Sequence, residues 1–547
     1  MPTGATARRR HRSKPSEVKT RPPAWLPKRL DVIRSKRIKP SLTWLCCLAP
    51  LAALASNSPS PARLQFEVTI RKELAAPAKD GRMFVVLATT NNPEPRLTIG
   101  RTGLDAPEVL ARDLKSFTSG TVAVPDQASF AFPLANLSAL PSGEYFAQAL
   151  FDSNTDLRSP NAPGNLYSKP QKLHVDSARD STWRLELAQQ IPPEQLAADT
   201  ELVKFVRIQS KPLSEFYGRP IFLRAGVVLP RGYAQEPTRR YPLWVRIGGL
   251  DTRYTSVLGQ MSGKAEFRKT WLADDTPRLI LLQLDGAGPN GDPYYVNSAN
   301  NGPFGDALIS ELIPHVEATF RTVGQPRARF LSGVSTGGWV CLALQVFYPD
   351  FFNGAWSSCP DPVDFRALEL VNIYKDDNAY VNLYGFERPS ERSRDGDVKL
   401  TMRREVGVEN LLGHGNSYTE SGEQWGDWNA VFGPCGADSR PVPIWDAQTG
   451  KINHAVAEQW KKYDLRLVLE ANWKTIGPKL RGKLHIAAGE ADDYFLNNAV
   501  HLLEQSLAKA DPPFVGKIVY GPGKGHGWMD LTLRQMLAEM QARAEAK

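Results

Sequence analysis

One stretch constrains this chain more than any other: Arg329-Phe330-Leu331-Ser332-Gly333-Val334-Ser335-Thr336-Gly337-Gly338-Trp339. A short apolar run, Ala328 to Leu331, leads into it, and Trp339-Val340-Cys341-Leu342-Ala343-Leu344 follows as a helix start. The pattern reads strand, sharp turn, helix, with Gly333-x-Ser335-x-Gly337 at the turn. A strand that turns at once into a helix forces its turn residue to positive φ, and side chains two positions either side would collide with the turn. Glycines there let the Ser335 hydroxyl stand clear of the sheet. The free N–H groups of the new helix then face any negative charge that develops beside it. Composition alone should produce such a pattern about 0.2 times in a chain of this length. Its bland reading is a glycine-rich turn, so the rest of the chain must decide.

A serine hydroxyl is a weak nucleophile without a base, and the base needs an orienting carboxylate. The chain supplies the order Ser, acid, His. After a strand-like run at Leu484 to Ala488 comes Gly489-Glu490-Ala491-Asp492-Asp493-Tyr494, and after Lys517 to Tyr520 comes Gly521-Pro522-Gly523-Lys524-Gly525-His526-Gly527-Trp528. Both follow the C-terminal end of a strand, the edge where Ser335 sits. Of the eight histidines, only His526 has this context. His11 is in a basic arm and His174 in a β-rich region; His315 and His501 are on helical runs, His485 is mid-strand, and His414 and His454 fall in an insertion. The bland reading of His526 is a glycine-loop histidine without a role. Asp492 is favoured as the acid over Asp493, with Glu490 third, and the unused acid is expected to cap a helix near Asn497. An oxyanion hole needs two backbone N–H donors. Thr336, directly after the nucleophile, is one. The other should follow an early strand, and Tyr241-Pro242-Leu243-Trp244-Val245-Arg246-Ile247-Gly248-Gly249-Leu250 fits, with Leu250 or Gly249 donating. In isolation this would pass for an ordinary Gly-Gly turn.

The organisation around these motifs is read from periodicity. Leu64, Phe66, Val68 and Ile70 alternate with polar residues as in a half-buried strand. Strand-like runs follow at Gly81 to Ala88, Ser129 to Phe132 and Glu144 to Leu150, separated by Pro-, Gly- and Asn-rich turns. Residues 62–185 are therefore expected to form a small all-β sandwich. Its bland role is packing; its sharper one is positioning substrate or binding carbohydrate. A polar joint at 188–200 leads to 200–547, where strand-like runs at 221–228, 243–247, 279–284, 328–331, 354–357, 484–488 and 517–520 alternate with helical ones at 307–320, 339–347, 498–510 and 531–546. That alternation predicts an α/β domain with a mostly parallel central sheet. Leu308, Leu312, His315, Val316 and Thr319 are expected to form the inward stripe of the first helix. Residues 366–480 interrupt the alternation and hold five of the 13 tryptophans: Trp425, Trp428, Trp445, Trp460 and Trp473. They form an aromatic lid over the C-terminal edge of the sheet or, for any single tryptophan more readily, the insertion's own core.

Charge narrows the partners. The net charge of +9 resides in residues 1–42, which carry 13 Lys/Arg against 2 Asp/Glu and leave the remaining 505 residues at −2. The folded part has no charge excess that argues for nucleic acid. After the basic arm, the apolar run Leu42 to Ala55 ends in Ala53-x-Ala55, a small-residue cleavage signature. Fourteen residues are too few to span a bilayer comfortably. Residues 1–55 thus predict export to the periplasm or outside, with a retained membrane anchor as the alternative. Beyond that segment Cys341, Cys359 and Cys435 remain; Cys359 and Cys435 could pair in an oxidising compartment, and no Cys/His spacing suggests zinc. The Asn- and Asp-rich stretch 286–306 is expected to line a substrate pocket. Turn chemistry explains its composition better than calcium does.

Glu311-Leu312-Ile313-Pro314-His315-Val316-Glu317, the stretch Ser332 to Trp339, and Tyr348-Pro349-Asp350 resemble the “putative esterase” family of α/β-hydrolases, which includes esterase D-type, enterochelin esterase-like and feruloyl esterases and mycolyltransferases. The resemblance runs over roughly 205–545, and a β-domain ahead of the hydrolase is similar to the enterochelin esterase arrangement. It implies an α/β-hydrolase fold, a triad of Ser335, Asp492 and His526, and oxyanion donors at Leu250 and Thr336. It implies neither cofactor nor metal. The chain departs from the family at Gly248-Gly249, where a His-Gly is common, and in its large tryptophan-bearing insertion. The expectation is an exported serine esterase acting on a small-molecule or polysaccharide-linked ester. The alternatives are acyl transfer to a sugar or lipid alcohol with the same triad, and a non-catalytic surface-binding homologue.

Overall fold

The computed structural model describes residues 62–74, 77–103, 106–195 and 198–546. The basic arm and apolar run of 1–55, on which the export expectation rests, lie outside them. Among the described residues no helix is long and apolar enough to cross a membrane.

The alternating run Leu64–Ile70 is a strand whose Leu64, Phe66, Val68 and Ile70 are buried. Seven more strands follow up to Ser181–Gln190, and all eight hydrogen-bond into one sheet. That sheet is mixed: Leu64–Ile70 pairs parallel with Ser181–Gln190, whereas the other pairs are antiparallel. Bridges from Gln65 to Asp126 and from Val68 to Ala123 bring its two ends back together. Phe66, Val68, Met83, Val85, Phe151 and Leu187 form a core inside the curl.

From Val203 onward the strands build a second sheet. Its order is Lys517–Gly521, Leu484–Gly489, Ala355–Ser358, Arg329–Val334, Leu243–Ile247, Ile280–Leu284, Ile221–Val228 and Val203–Ser210. The first six pair parallel and the last two antiparallel. Inner strands such as Ile280–Leu284 are buried along their whole length, which is why they read as continuous apolar runs. One face packs on Val340, Leu344 and the helix after the elbow. On the other, Trp244, Phe330 and Trp356 of the sheet pack with Trp271, Leu537 and Met540. Strand order reverses at Leu243–Ile247, which has the later strand Ile280–Leu284 on one side and the elbow strand Arg329–Val334 on the other. A crevice opens at the C-terminal end of strands where order reverses, and here that end holds Gly248-Gly249 and Ser335.

The helix at 304–319 departs from the expected stripe. Leu308–Leu312 forms a π-turn, because Pro314 has no N–H to bond the carbonyl four residues back. The extra residue shifts the phase: Leu308, Leu312, Ile313 and Val316 face inward, while His315 and Thr319 are exposed. The insertion holds a hairpin, Pro389–Arg392 with Val398–Thr401, and the helices Met402–Leu412, Gln424–Phe432, His454–Trp460 and Leu465–Ile476. All five of its tryptophans are buried and pack within the protein, and Trp428 also lines a cavity beside Ser335. Phe432 locks the insertion onto the elbow helix, with its ring 5.0 Å from Trp339 and 5.3 Å from Trp460. The insertion also grips the first sheet. Arg82, buried there, donates from Nε to Leu411 O, from Nη2 to Asn410 O and Asn416 Oδ1, and from Nη1 to Asp113.

Candidate active site

Ser335 sits between the strand Arg329–Val334 and the helix Thr336–Phe347 with φ 59° and ψ −125°. A non-glycine residue held there stores roughly 1–3 kcal/mol of strain. Its neighbours make the conformation possible. A Cβ on Gly333 would lie 2.0 Å from Gly337 O, and one on Gly337 would lie 2.4 Å from the carbonyl oxygens of Gly248 and Ile247. The backbone braces the turn further: Ser335 N–H donates to Ser358 O (3.0 Å), and Ser335 O accepts from Asp361 N–H (3.2 Å). Thr336 opens its helix, so its N–H has no acceptor within that helix. Gly249 reaches the same point from the neighbouring strand; a Cβ there would lie 3.8 Å from Ser335 Cβ.

Of the three downstream acids, Asp492 meets the imidazole. His526 Nδ1–H donates to Asp492 Oδ2 at 3.0 Å, and Asp492 is fully buried. Its other oxygen, Oδ1, accepts from Tyr494 N–H (3.0 Å) and Leu496 N–H (3.3 Å). Asp493 does not cap the following helix, which has Leu496 at its N-cap and no side-chain cap. Asp493 Oδ2 instead accepts the backbone N–H of His526 at 2.7 Å, and Glu490 pairs with His501. The sequence named the two aspartates but not this division of work, which holds one histidine by ring and by backbone. Burial by itself would lower the pKa of His526. The hydrogen bond and charge of Asp492, with Asp361 and Asp493 behind, outweigh it and leave the imidazole above its ordinary value. The Tyr494 ring packs edge-on against the imidazole, 4.9 Å away.

Ser335, Leu250 and His526 line one cavity of about 570 Å³. Sequence reasoning did not name Asp361 or the segment Ile99 to Thr102, which line it, or Arg392, which holds the Asp492-Asp493 backbone. Asp361, fully buried beside Ser335, accepts on Oδ2 from Tyr294 OH (2.6 Å), Trp428 Nε1 (3.1 Å), Thr336 Oγ1 (3.2 Å) and Gln424 Nε2 (3.3 Å). Burial, tempered by these donors, raises its pKa. Arg392, from the insertion's hairpin, donates from its backbone to Asp493 O and from Nε to Asp492 O, both at 2.9 Å. Ile99, Gly100, Arg101 and Thr102 enter the cavity from the first sheet. Only the Asp-Pro turn after Cys359 offered a sequence signal for Asp361; the other groups arrive through long-range packing.

No residue of 286–306 lines this cavity among the described residues. That stretch supports it from behind, through the buried Tyr294. Cys341, Cys359 and Cys435 are all free, so Cys359 and Cys435 do not pair. Cys359 has a positive φ of 43°, and its Sγ donates to Trp528 O. Among the described residues the one Cys/His/Asp/Glu group close enough to hold a metal ion is Cys359, Asp492 and His526, whose ligand atoms lie within 4.8 Å of one another. Two of its members already bond each other, and burial pushes the thiol up to about 11.

The model of a family described as “Putative esterase” matches residues 222–505. No curated protein matches the chain. Among solved structures the chain is similar to a ferulic acid esterase, at 13% identity and TM-score 0.35, over 63% of this chain and 97% of that one. It is similar to the fluorophosphonate-binding serine hydrolase F of Staphylococcus aureus, at 12% and 0.36, over 63% and 98%. It is also similar to an S-formylglutathione hydrolase from Agrobacterium tumefaciens, at 12% and 0.35, over 64% and 98%.

Proposed function

The chain belongs to the “Putative esterase” family, and from that premise we propose that it is an exported serine esterase working through Ser335, His526 and Asp492. The observation that carries this reading is the 3.0 Å bond from His526 Nδ1 to the buried Asp492 carboxylate, in a cavity that His526 shares with Ser335 on its strained turn. A buried carboxylate accepting from Nδ1–H fixes the tautomer that leaves Nε2 free to take a proton.

His526 Nε2 takes the hydroxyl proton as Ser335 Oγ attacks the ester carbonyl. Asp492 stabilises the resulting imidazolium. The carbonyl oxygen becomes an oxyanion held by the N–H groups of Thr336 and of Leu250, with Gly249 giving the backbone its close approach. His526 then gives the proton to the leaving alcohol. Water, deprotonated by the same imidazole, releases the acid from Ser335. The region 62–185 acts as the substrate-positioning domain of the reading; the support is that Ile99 to Thr102 line the same cavity as Ser335. Export is supported by the apolar run ending in Ala53-x-Ala55.

The test is hydrolysis of p-nitrophenyl esters of graded chain length by the full chain and by Ser335→Ala. Turnover should fall by roughly 10³-fold or more in the variant, with an unchanged circular dichroism spectrum. Undiminished turnover in a folded Ser335→Ala protein would end the proposal. Added glycerol or glucose that diverts acyl groups from water at the same total turnover would instead favour acyl transfer.

A further inference from the structure

The cavity beside Ser335 has an unusual wall. Five carboxyl side chains line it: Asp361, Glu369, Glu405, Glu409 and Glu423. Besides His526, the one basic side chain on the wall is Arg101, which is exposed, and among the described residues no hydrogen bond or ion pair joins its guanidinium to any of the five. Resting on the esterase reading above, we infer that this wall is a recognition site for a positively charged organic group, an ammonium or guanidinium, carried by the ester substrate.

Accounting for partners separates four of the five. Asp361 has its four donors, given above. Glu409 accepts on Oε1 from Trp425 N–H (2.9 Å) and on Oε2 from Gly426 N–H (2.9 Å) and Ser421 Oγ (2.8 Å), so the start of the helix Gln424–Phe432 satisfies it. Glu369 is different. It is 2% exposed, its side chain makes no hydrogen bond or ion pair among the described residues, and its Oε2 is buried without a partner. Glu405, by contrast, has the Trp425 and Ser390 side chains as donors, which temper the effect of its burial. The wall therefore holds an unsatisfied carboxyl oxygen on Glu369, and a buried polar atom left unsatisfied in a native protein calls for an occupant.

The surroundings of Glu369 state the sign of that occupant. Burial and then the charges of Glu405, Asp361, Asp492 and Glu409 all push its carboxyl toward the protonated form, and among the described residues no cation pairs with it. A substrate cation would take the proton's place, so binding releases a proton to solvent and leaves an ion pair in the cavity. A metal ion fits poorly: no three of these carboxyl groups converge within one ion's reach, and the group that does is Cys359, Asp492 and His526. Leu250, Val408, Leu412, Trp428 and Tyr494 line the spaces between the acids. Apolar and aromatic surface interleaved with carboxylates suits a weakly hydrated organic cation.

The experiment compares matched esters on the full chain. One pair is the p-nitrophenyl ester of trimethylammoniobutanoate and its neutral tert-butyl isostere, with the charge on the acyl side. The other is butyrylcholine and dimethylbutyl butyrate, with the charge on the alcohol side. In at least one pair kcat/KM should favour the cation about tenfold, and the ratio should fall toward one in Glu369→Gln and Glu405→Gln. Ratios at or below one in both pairs, or a preference that survives both substitutions, overturn the inference. Loss of all turnover, with no fluorophosphonate label on Ser335, would refute the esterase reading alone. Calorimetry of the same pairs on Ser335→Ala then decides: tighter binding of the cation with proton release supports the site, and equal binding overturns it.

Discussion

At His526 two effects of opposite sign meet on one ring. Burial disfavours the imidazolium, and the Asp492 carboxylate 3.0 Å from Nδ1 favours it, backed by Asp361 and Asp493; the net shift is upward. A general base must be neutral to work, so activity is lost as pH falls through the raised value. The pH profile of kcat/KM on a neutral ester should therefore rise through an apparent pKa above about 6.5. Asp492→Asn should lower that limb and reduce kcat by roughly 10⁴-fold, because an amide can hold the wrong tautomer. Asp493→Asn keeps an oxygen to accept the backbone N–H of His526 and should cost far less. A limb that stays put in Asp492→Asn would remove this carboxylate as its cause. The same shift acts on stability with the reverse sense. A base whose pKa is raised on folding stabilises fully below its unfolded pKa, and that contribution disappears as pH rises through the folded value.

Among the elements, the sequence was most legible where burial is complete. The inner strands, such as Ile280–Leu284, are largely apolar on both faces, and their expected bounds fall within three residues of the observed ones. The edge strand Val203–Ser210 was missed because its Lys204, Arg207 and Gln209 break any clear period. The strand Glu108–Phe117, with Arg112, Asp113 and Lys115 in its middle, hid for the same reason. In the site, the pattern named the residues whose chemistry requires a fixed local context: Ser335 on its turn, and Asp492 and His526 past strand ends. It could not name those delivered by long-range packing. Arg392 is the clearest of these, 100 positions from the Asp492 carbonyl it holds and stacked 4.4 Å over Phe495. Arg392 touches neither the imidazole nor the nucleophile, so it acts as a positioning residue. Arg392→Ala should lower kcat about tenfold by loosening the acid loop, with the acidic limb of the pH profile shifted downward as Asp492 drifts from the ring. A purely structural role would change the thermal midpoint but leave that limb in place.

Across the whole molecule, one region pools an excess of buried acid. Burial raises the carboxyls of Asp292 and Glu423 to about 8 and those of Glu369, Glu409 and Asp427 well above the ordinary range. Each such group keeps its proton in the folded state over a range where the unfolded chain has already lost it. The native state then binds more protons than the unfolded one, and stability falls as pH rises from about 4 to about 8. His526 adds to this slope through its own raised pKa. Asp113 and His485 are among the groups that work the other way at the acid end. Asp113, despite burial, is held well below the usual carboxylate range by His414, Arg82 and the Gly415 N–H, so its contribution is lost as pH falls. Burial lowers His485, which penalises folding once the unfolded histidine protonates. Stability should therefore peak on the acid side of neutrality, with a thermal midpoint higher at pH 6 than at pH 8. Glu423→Gln and Asp292→Asn should each flatten that slope. A midpoint that climbs from pH 6 to pH 8 would mean these carboxyls are ionised in the folded protein and would overturn the prediction.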